Sequence, residues 1–161
     1  MSEYFVYAIG AALVDTEISV SSDDLDQLSI EKGMMTLVDE ARQAEIQNHL
    51  SDKLVSANHA CGGSAGNSVI ATSQLGAPTY MSCLVANDAD GDIYVKELEA
   101  CGVDHGFKSE RRGGTTGKCL VLITPDAERS MNTFLGVSET LSVTEVNEVA
   151  IATSTWVYLE G

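Results

Sequence analysis

The chain has 161 residues, 44% of them hydrophobic and 20% charged, the balance of one folded domain with a core of its own. Its net charge of −15, from nine Lys and Arg against 24 Asp and Glu, lacks the basic footprint that nucleic acid or an anionic membrane surface requires. No apolar run approaches the ~18–20 residues of a membrane span and the N-terminus has no basic leader region, so the chain is expected in the cytoplasm.

The first segment, YFVYAIGAALV, is predicted to be a buried strand running into Gly10. Asp15 follows it directly. Open α/β sheets bind ligands beyond the carboxyl ends of their strands, so Asp15 reads either as a cleft carboxylate or as a solvated loop charge. The alternation of Ile18 and Val20 suggests a short, half-exposed strand. A helix is predicted from Ser29 or Thr36 to about Leu50, with Thr36 and Asp39 as a capping box and Leu37, Ala41 and Ala44 on one face.

Residues 61–76 read CGGSAGNSVIATSQLG. A helix is predicted over 64–75, stopped by Gly76 and Pro78, although glycine inside a helix costs about 1 kcal/mol relative to alanine. The cluster is not a dinucleotide fingerprint, because Cys61 stands where the first glycine belongs. Nor is TTGK a P-loop: Gly117-Lys118 is followed by Cys119, and Arg112 replaces the leading glycine. Two readings remain. Gly62 and Gly63 could let a polyhydroxylated ligand reach the main chain, with Asn67 donating to and accepting from its hydroxyls. Alternatively, the glycines serve only the close packing of the helix.

TYMSCLVA is predicted as a buried strand and NDADGD as a turn into a helix carrying Tyr94, Leu98 and Cys101, ended by Gly102. KCLVLITPDAERSMNTFLG reads as a hairpin about a TPDAE turn, where Arg129 is either an anion clamp or a surface charge. The Arg111–Gly114 stretch reads as a loop rather than a phosphate site. Ser142 and Glu145 are expected to cap a last helix, before the strand TWVYLEG. Strands alternating with helices specify an α/β fold with a mostly parallel sheet. The early polar strand and the hairpin break that alternation and suggest a separate small β element. Cys61, Cys83, Cys101 and Cys119 have no metal-ligand spacing and read as reduced, buried residues. No metal site is expected, and His49, His59 and His105 form no catalytic arrangement with serine or cysteine.

GGSAGNSVIATSQLG resembles the first signature of the ribokinase-like (PfkB) family of carbohydrate and nucleoside kinases: Gly62 and Gly63 open a helix, Asn67 follows and Gly76 ends it. AIGAALVD resembles the family's first strand with its substrate-binding Asp. LVANDADGD with LEACGVD resembles the stretch after the signature helix, TGKCLVLITPDAERSMNTFLGVSETL the lid hairpin, and YLEG the strand beyond it. The similarity is greatest to the adenosine-kinase-like sugar kinase branch. Two positions depart from the family pattern: Ala11 stands where Asn is frequent, and Ser64 where some sugar kinases carry Lys.

The resemblance implies a three-layer α/β/α core, here partial, with a small β-sheet lid from segments near 16–21 and 107–136. It implies that Asp15, Gly62, Gly63 and Asn67 bind the hydroxyls of a sugar or nucleoside. The family's second signature, a GAGD-like segment supplying the general base and anion hole, has no match in residues 1–161. The chain is therefore expected to be the N-terminal half of an ATP-dependent kinase acting on a primary hydroxyl. ATP and Mg²⁺ would serve the complete enzyme, with neither bound by this half. No catalytic residue is assigned within the chain, which is expected to be inactive alone. Its expected partners are the acceptor, a C-terminal half and a second copy through the lid strands. The alternative is a non-catalytic sugar-binding or subunit-pairing module derived from the same family.

Overall fold

In the computed structural model, which describes residues 3–54, 58–107 and 111–160, the strand–helix alternation resolves into two sheets. Along the chain the elements are β1 (Tyr4–Ile9), β2 (Leu13–Ser19), α1 (Ser22–Gln27), β3 (Met35–Leu37), α2 (Glu40–His49), β4 (Asn58–Gly62) and α3 (Ser64–Gln74). Then come β5 (Thr79–Ser82), α4 (Ala89–Ala100), β6 (Val103–His105), β7 (Gly117–Ile123), β8 (Arg129–Phe134), α5 (Glu148–Ala152) and β9 (Ser154–Leu159). Expectations for residues 108–110 of the lid segment and for Gly161 of the last strand lie outside the described residues. Among the described residues, no helix is long and apolar enough to cross a membrane.

The chain divides into two compact units. The first comprises Met1–Val14, Cys61–Gly117 and Gly136–Gly161. Its sheet, in the order β6-β5-β1-β9, is parallel throughout: Tyr7 lies beside Tyr80 of β5 and Val157 of β9. Parallel strands joined by helical crossovers are buried on both faces, as the fully buried β5 is, whereas the edge strand β9 exposes Trp156, Val157 and Leu159. Ala8 and Met81 face a core with Val69 of α3 and with Tyr94 and Leu98 of α4. Tyr7 and Tyr80 stack on the opposite face, centroids 5.2 Å apart, in a cluster with Ala150 of α5.

Ser142 and Glu145 do form a capping box, but on a single 3-10 turn at Val143–Glu145. The helix after it has its own cap: Asn147 accepts from the N–H groups of Val149 and Ala150, while its own N–H donates to the Tyr7 hydroxyl.

The second unit comprises Asp15–Ala60 and Lys118–Leu135. The expected hairpin is present, with Leu122 opposite Ser130 in the antiparallel β7–β8 pair. It belongs to a five-stranded sheet in the order β3-β8-β7-β2-β4. Ile18, Leu120 and Leu122 pack on Leu25 and Leu28 from the α1 region and on Ile46 and Leu50 from the α2 region. The short helix α1, unforeseen in the sequence, is held by a capping box between Ser21 and Asp24.

Thr36 does not begin a helix. Met35–Leu37 pair in parallel with β8, and the flanking bonds Met131 N–H to Met34 O (2.8 Å) and Val38 N–H to Thr133 O (2.9 Å) extend the ladder. The open edge of β8 offers this segment a row of backbone partners that a local cap cannot match. Asp39 is the N-cap of α2 instead, accepting from the Arg42 N–H at 2.8 Å. The buried face of α2 is accordingly Gln43 and Ile46, with Ala41 and Ala44 exposed.

Asp39→Ala is expected to lower stability in urea denaturation by about 1 kcal/mol, and Thr36→Ala, an exposed strand position, by less than about 0.5 kcal/mol. The reverse ranking would return the cap to Thr36.

Candidate functional site

Gly62 ends β4, and Gly63 stands at the N-cap of α3 with φ +88°, a left-handed conformation that side chains resist. A Cβ on Gly63 would lie 2.5 Å from the Ala11 carbonyl oxygen, and one on Gly10 would lie 2.6 Å from the Ala65 Cβ. The end of β1 and the head of α3 therefore meet backbone to backbone. One turn into α3, Asn67 donates its N–H to the Gly63 carbonyl (3.0 Å) and leaves its side chain exposed.

Gly63 supplies no side-chain cap to α3. Glu160 does this work from the end of β9. Its backbone N–H donates to the Ile9 carbonyl (2.9 Å), continuing the strand pairing, and its carboxylate accepts from the N–H groups of Ser64 (3.1 Å) and Ala65 (3.0 Å). A carboxylate there is favoured by the partial positive charge of the helix terminus. No local pattern marks Glu160 in the sequence; only its place at the carboxyl end of a parallel strand could have suggested it.

In the second unit, Asp15 is not in a loop after the first strand. It lies within β2, and with Glu17 it alternates with Thr16 and Ile18. The Asp15 carboxyl is raised to about 6, chiefly by burial and also by the neighbouring Glu17 charge, with Arg129 partly offsetting both. Arg129 pairs with Glu17 at 3.4 Å. Glu17 is a second residue that the sequence reading missed, although its two-residue spacing from Asp15 is a strand signal.

Gly62, Gly63 and Asn67 thus share the β4–α3 junction, while Asp15 and Arg129 share the other unit's sheet. A cavity of about 490 Å³ opens elsewhere in the first unit, beside Ser82, Phe107, Arg112 and Glu145, and none of the five predicted site residues lines it. Arg111 pairs with Asp92, and Arg112 with Glu145 at 2.9 Å. All four cysteines are free thiols, with Cys61, Cys83 and Cys119 buried.

Residues 30–161 match the pfkB family carbohydrate kinase. Among solved structures, the chain is similar to a probable sugar kinase protein from Rhizobium etli CFN 42, with 30% identity and a TM-score of 0.88 over 99% of this chain and 47% of that one. It is similar to the adenosine kinase from Sinorhizobium meliloti, with 32% identity and a TM-score of 0.87 over 98% of this chain and 47% of that one. Anopheles gambiae adenosine kinase, at 22% identity and a TM-score of 0.82, over 96% and 47% of the two chains, shares the fold. The chain spans about half the length of these relatives. A comparison with curated proteins found no match.

Two outcomes are expected from this geometry. Glu160→Ala should cost about 1–3 kcal/mol and speed hydrogen exchange at the Ser64 and Ala65 amides. For Asp15, a folded-state value above the ordinary 3.8 means that the folded chain retains a proton the unfolded chain has lost. Its contribution to stability is full below about pH 4, falls as the pH rises towards about 6, and is constant above that. Asp15→Asn should remove this decline. Urea midpoints of wild type and variant at about pH 4.5 and 7 check it: a difference between them that does not change with pH would contradict the raised value.

Proposed function

The chain belongs to the pfkB family of carbohydrate kinases, and we propose that it is the acceptor-binding half of an enzyme that transfers the γ-phosphoryl group of ATP to a primary hydroxyl of a sugar or nucleoside. The observation that carries this reading is the Gly62–Gly63 turn, a bare stretch of backbone with Asn67 one turn beyond it. In this reading the main chain at Gly62 and Gly63 and the Asn67 amide bind acceptor hydroxyls. Asp15 accepts hydrogen bonds from hydroxyls, and charge-assisted bonds of that kind are the stronger ones. Arg129, exposed on β8 and paired with Glu17, is the candidate anion contact.

The family uses ATP and a metal ion, and the described residues do not fit either. No three His, Cys, Asp or Glu side chains among them gather as metal ligands. The two N–H groups at the head of α3, which could otherwise receive a phosphate, are engaged by Glu160. No step is therefore derived through nucleotide or metal on these residues. This reading assigns the general base and the nucleotide pocket to a C-terminal half, and assigns orientation of the acceptor to this chain. Orientation accounts for much of the barrier in phosphoryl transfer, where catalysis is mostly positioning and charge stabilisation.

Joined to the C-terminal half of a pfkB kinase, the chain is expected to support ATP-dependent phosphorylation of at least one member of a sugar and nucleoside panel. Asp15→Asn and Asn67→Ala should each lower kcat/KM about tenfold or more, the loss of one hydrogen bond to the acceptor. No phosphorylation across the panel would overturn the kinase reading. Sugar binding without any effect of nucleotide would favour a non-catalytic binding module.

A further inference from the structure

Helix α4 packs with α3 in the core of the first unit, and it holds the chain on both sides of the Gly62–Gly63 turn. Before the turn, the Cys61 N–H donates to a Glu97 carboxylate oxygen at 2.8 Å, and the Cys61 thiol donates to the Tyr94 carbonyl at 3.5 Å. Beyond the turn, the Tyr94 side chain reaches the first turn of α3. A Cβ on Gly66 would lie 2.5 Å from the Tyr94 hydroxyl oxygen, so the hydroxyl occupies the place of a side chain there. Tyr94 and Glu97 are three residues apart on one helix and therefore share a face. Between Cys61 and Gly66 lie Gly62 and Gly63, and Asn67 follows at once.

The Tyr94 hydroxyl is destabilising where it stands. Tyr94 is fully buried, its hydroxyl makes no hydrogen bond among the described residues, and its polar neighbour is the Cys83 thiol, a weak partner. An unpaired buried hydroxyl lowers stability, and phenylalanine would fill the same core without it. Gly66 adds to the loss: glycine in a helix is disfavoured relative to alanine, and alanine cannot fit against the hydroxyl. Two residues thus give up stability at one contact, and that contact sets how far the first turn of α3 stands from α4.

We infer that Tyr94 and Glu97 are positioning residues for the acceptor: they clasp the chain before and after the Gly62–Gly63 turn and fix its main-chain groups relative to the Asn67 amide. The inference rests on the reading of that turn as the acceptor site under the proposed function. One acceptor must meet the main chain at Gly62 and Gly63 and the Asn67 side chain together, and hydrogen bonds to it hold only over about 2.7–3.2 Å. A turn of two glycines does not keep such a spacing by itself, because glycine has the most backbone freedom to lose. Restraint has to come from outside the turn, and a packed helix that grips both ends is a rigid source of it. Tyr94, fully buried, does not touch the acceptor; it acts through Gly66.

The test is binding by the whole chain, read from the Gly62 and Gly63 amide signals in titrations with ribose, fructose, adenosine and cytidine, beside urea denaturation of each variant. Tyr94→Phe is expected to keep or raise the urea midpoint, since it removes an unpaired hydroxyl, and yet to weaken severalfold the binding of whichever probe the wild type takes. Gly66→Ala alone should lower the midpoint. In the Tyr94→Phe background it should not, because the new methyl then meets the ring at the Cζ distance of 3.6 Å, and it should recover part of the lost binding. Glu97→Ala should weaken binding severalfold, whereas Glu97→Gln, whose amide oxygen still accepts from Cys61, should not. If Tyr94→Phe binds as the wild type does, or loses midpoint and binding together, the inference fails and the acceptor reading stands. Additive effects of Tyr94→Phe and Gly66→Ala on the midpoint also overturn it, as does an equal loss of binding in Glu97→Gln and Glu97→Ala. If no probe moves the glycine amides of the wild type, the acceptor reading fails and the inference with it.

Discussion

In the first unit, the end of β1 meets the head of α3 backbone against backbone. Side chains cannot be accommodated at Gly10 or Gly63, because Ala65 and the Ala11 carbonyl already occupy the space a Cβ would need. This closeness lets Glu160, paired through its own N–H to the end of β1, reach the first two N–H groups of α3. A helix terminus without its own side-chain cap is thereby satisfied by a residue nearly a hundred positions away in the chain. Gly63 places a turn without a side chain at the carboxyl end of a parallel sheet, where α/β proteins bind their ligands.

The second unit obeys a different rule. A sheet with helices on one face need only be apolar on that face, and the period-2 alternation of β2 separates Thr16 and Ile18 from Asp15 and Glu17. A carboxylate set within a strand is desolvated more than one in a loop, and that is the main reason Asp15 holds its proton so far up the pH scale. Its neighbours act in opposite directions, Glu17 adding to the shift and Arg129 reducing it. The result is a charged corner on the sheet.

Much of this was legible in the residues. Apolar runs with aromatic and β-branched content located β1, β5 and β9, though not the three-residue β6, and the TPDAE turn located the hairpin, because both signals are local. The Gly62-Gly63 pair with Asn67 marked the start of α3, whereas β4 before it was not foreseen. Errors arose wherever a distant partner outweighed a local signal. Thr36 has the spacing of a helix cap, yet the edge of β8 recruits it into a strand. Ser142 and Glu145 form their capping box, yet Asn147, anchored by Tyr7, decides where the helix begins.

The sequence by itself determined the α/β class, the family, and the turn at which the backbone is bare, since each depends on residue type at short spacing. Only the tertiary structure decided that Glu160 closes the head of α3, that Asp15 sits within a strand beside Glu17, and that Met35 pairs with Met131 of β8. Those outcomes depend on which strands become neighbours and in what register. Neighbours and register are set by hydrogen-bonding edges and buried faces drawn from segments far apart in the chain, which no short spacing encodes.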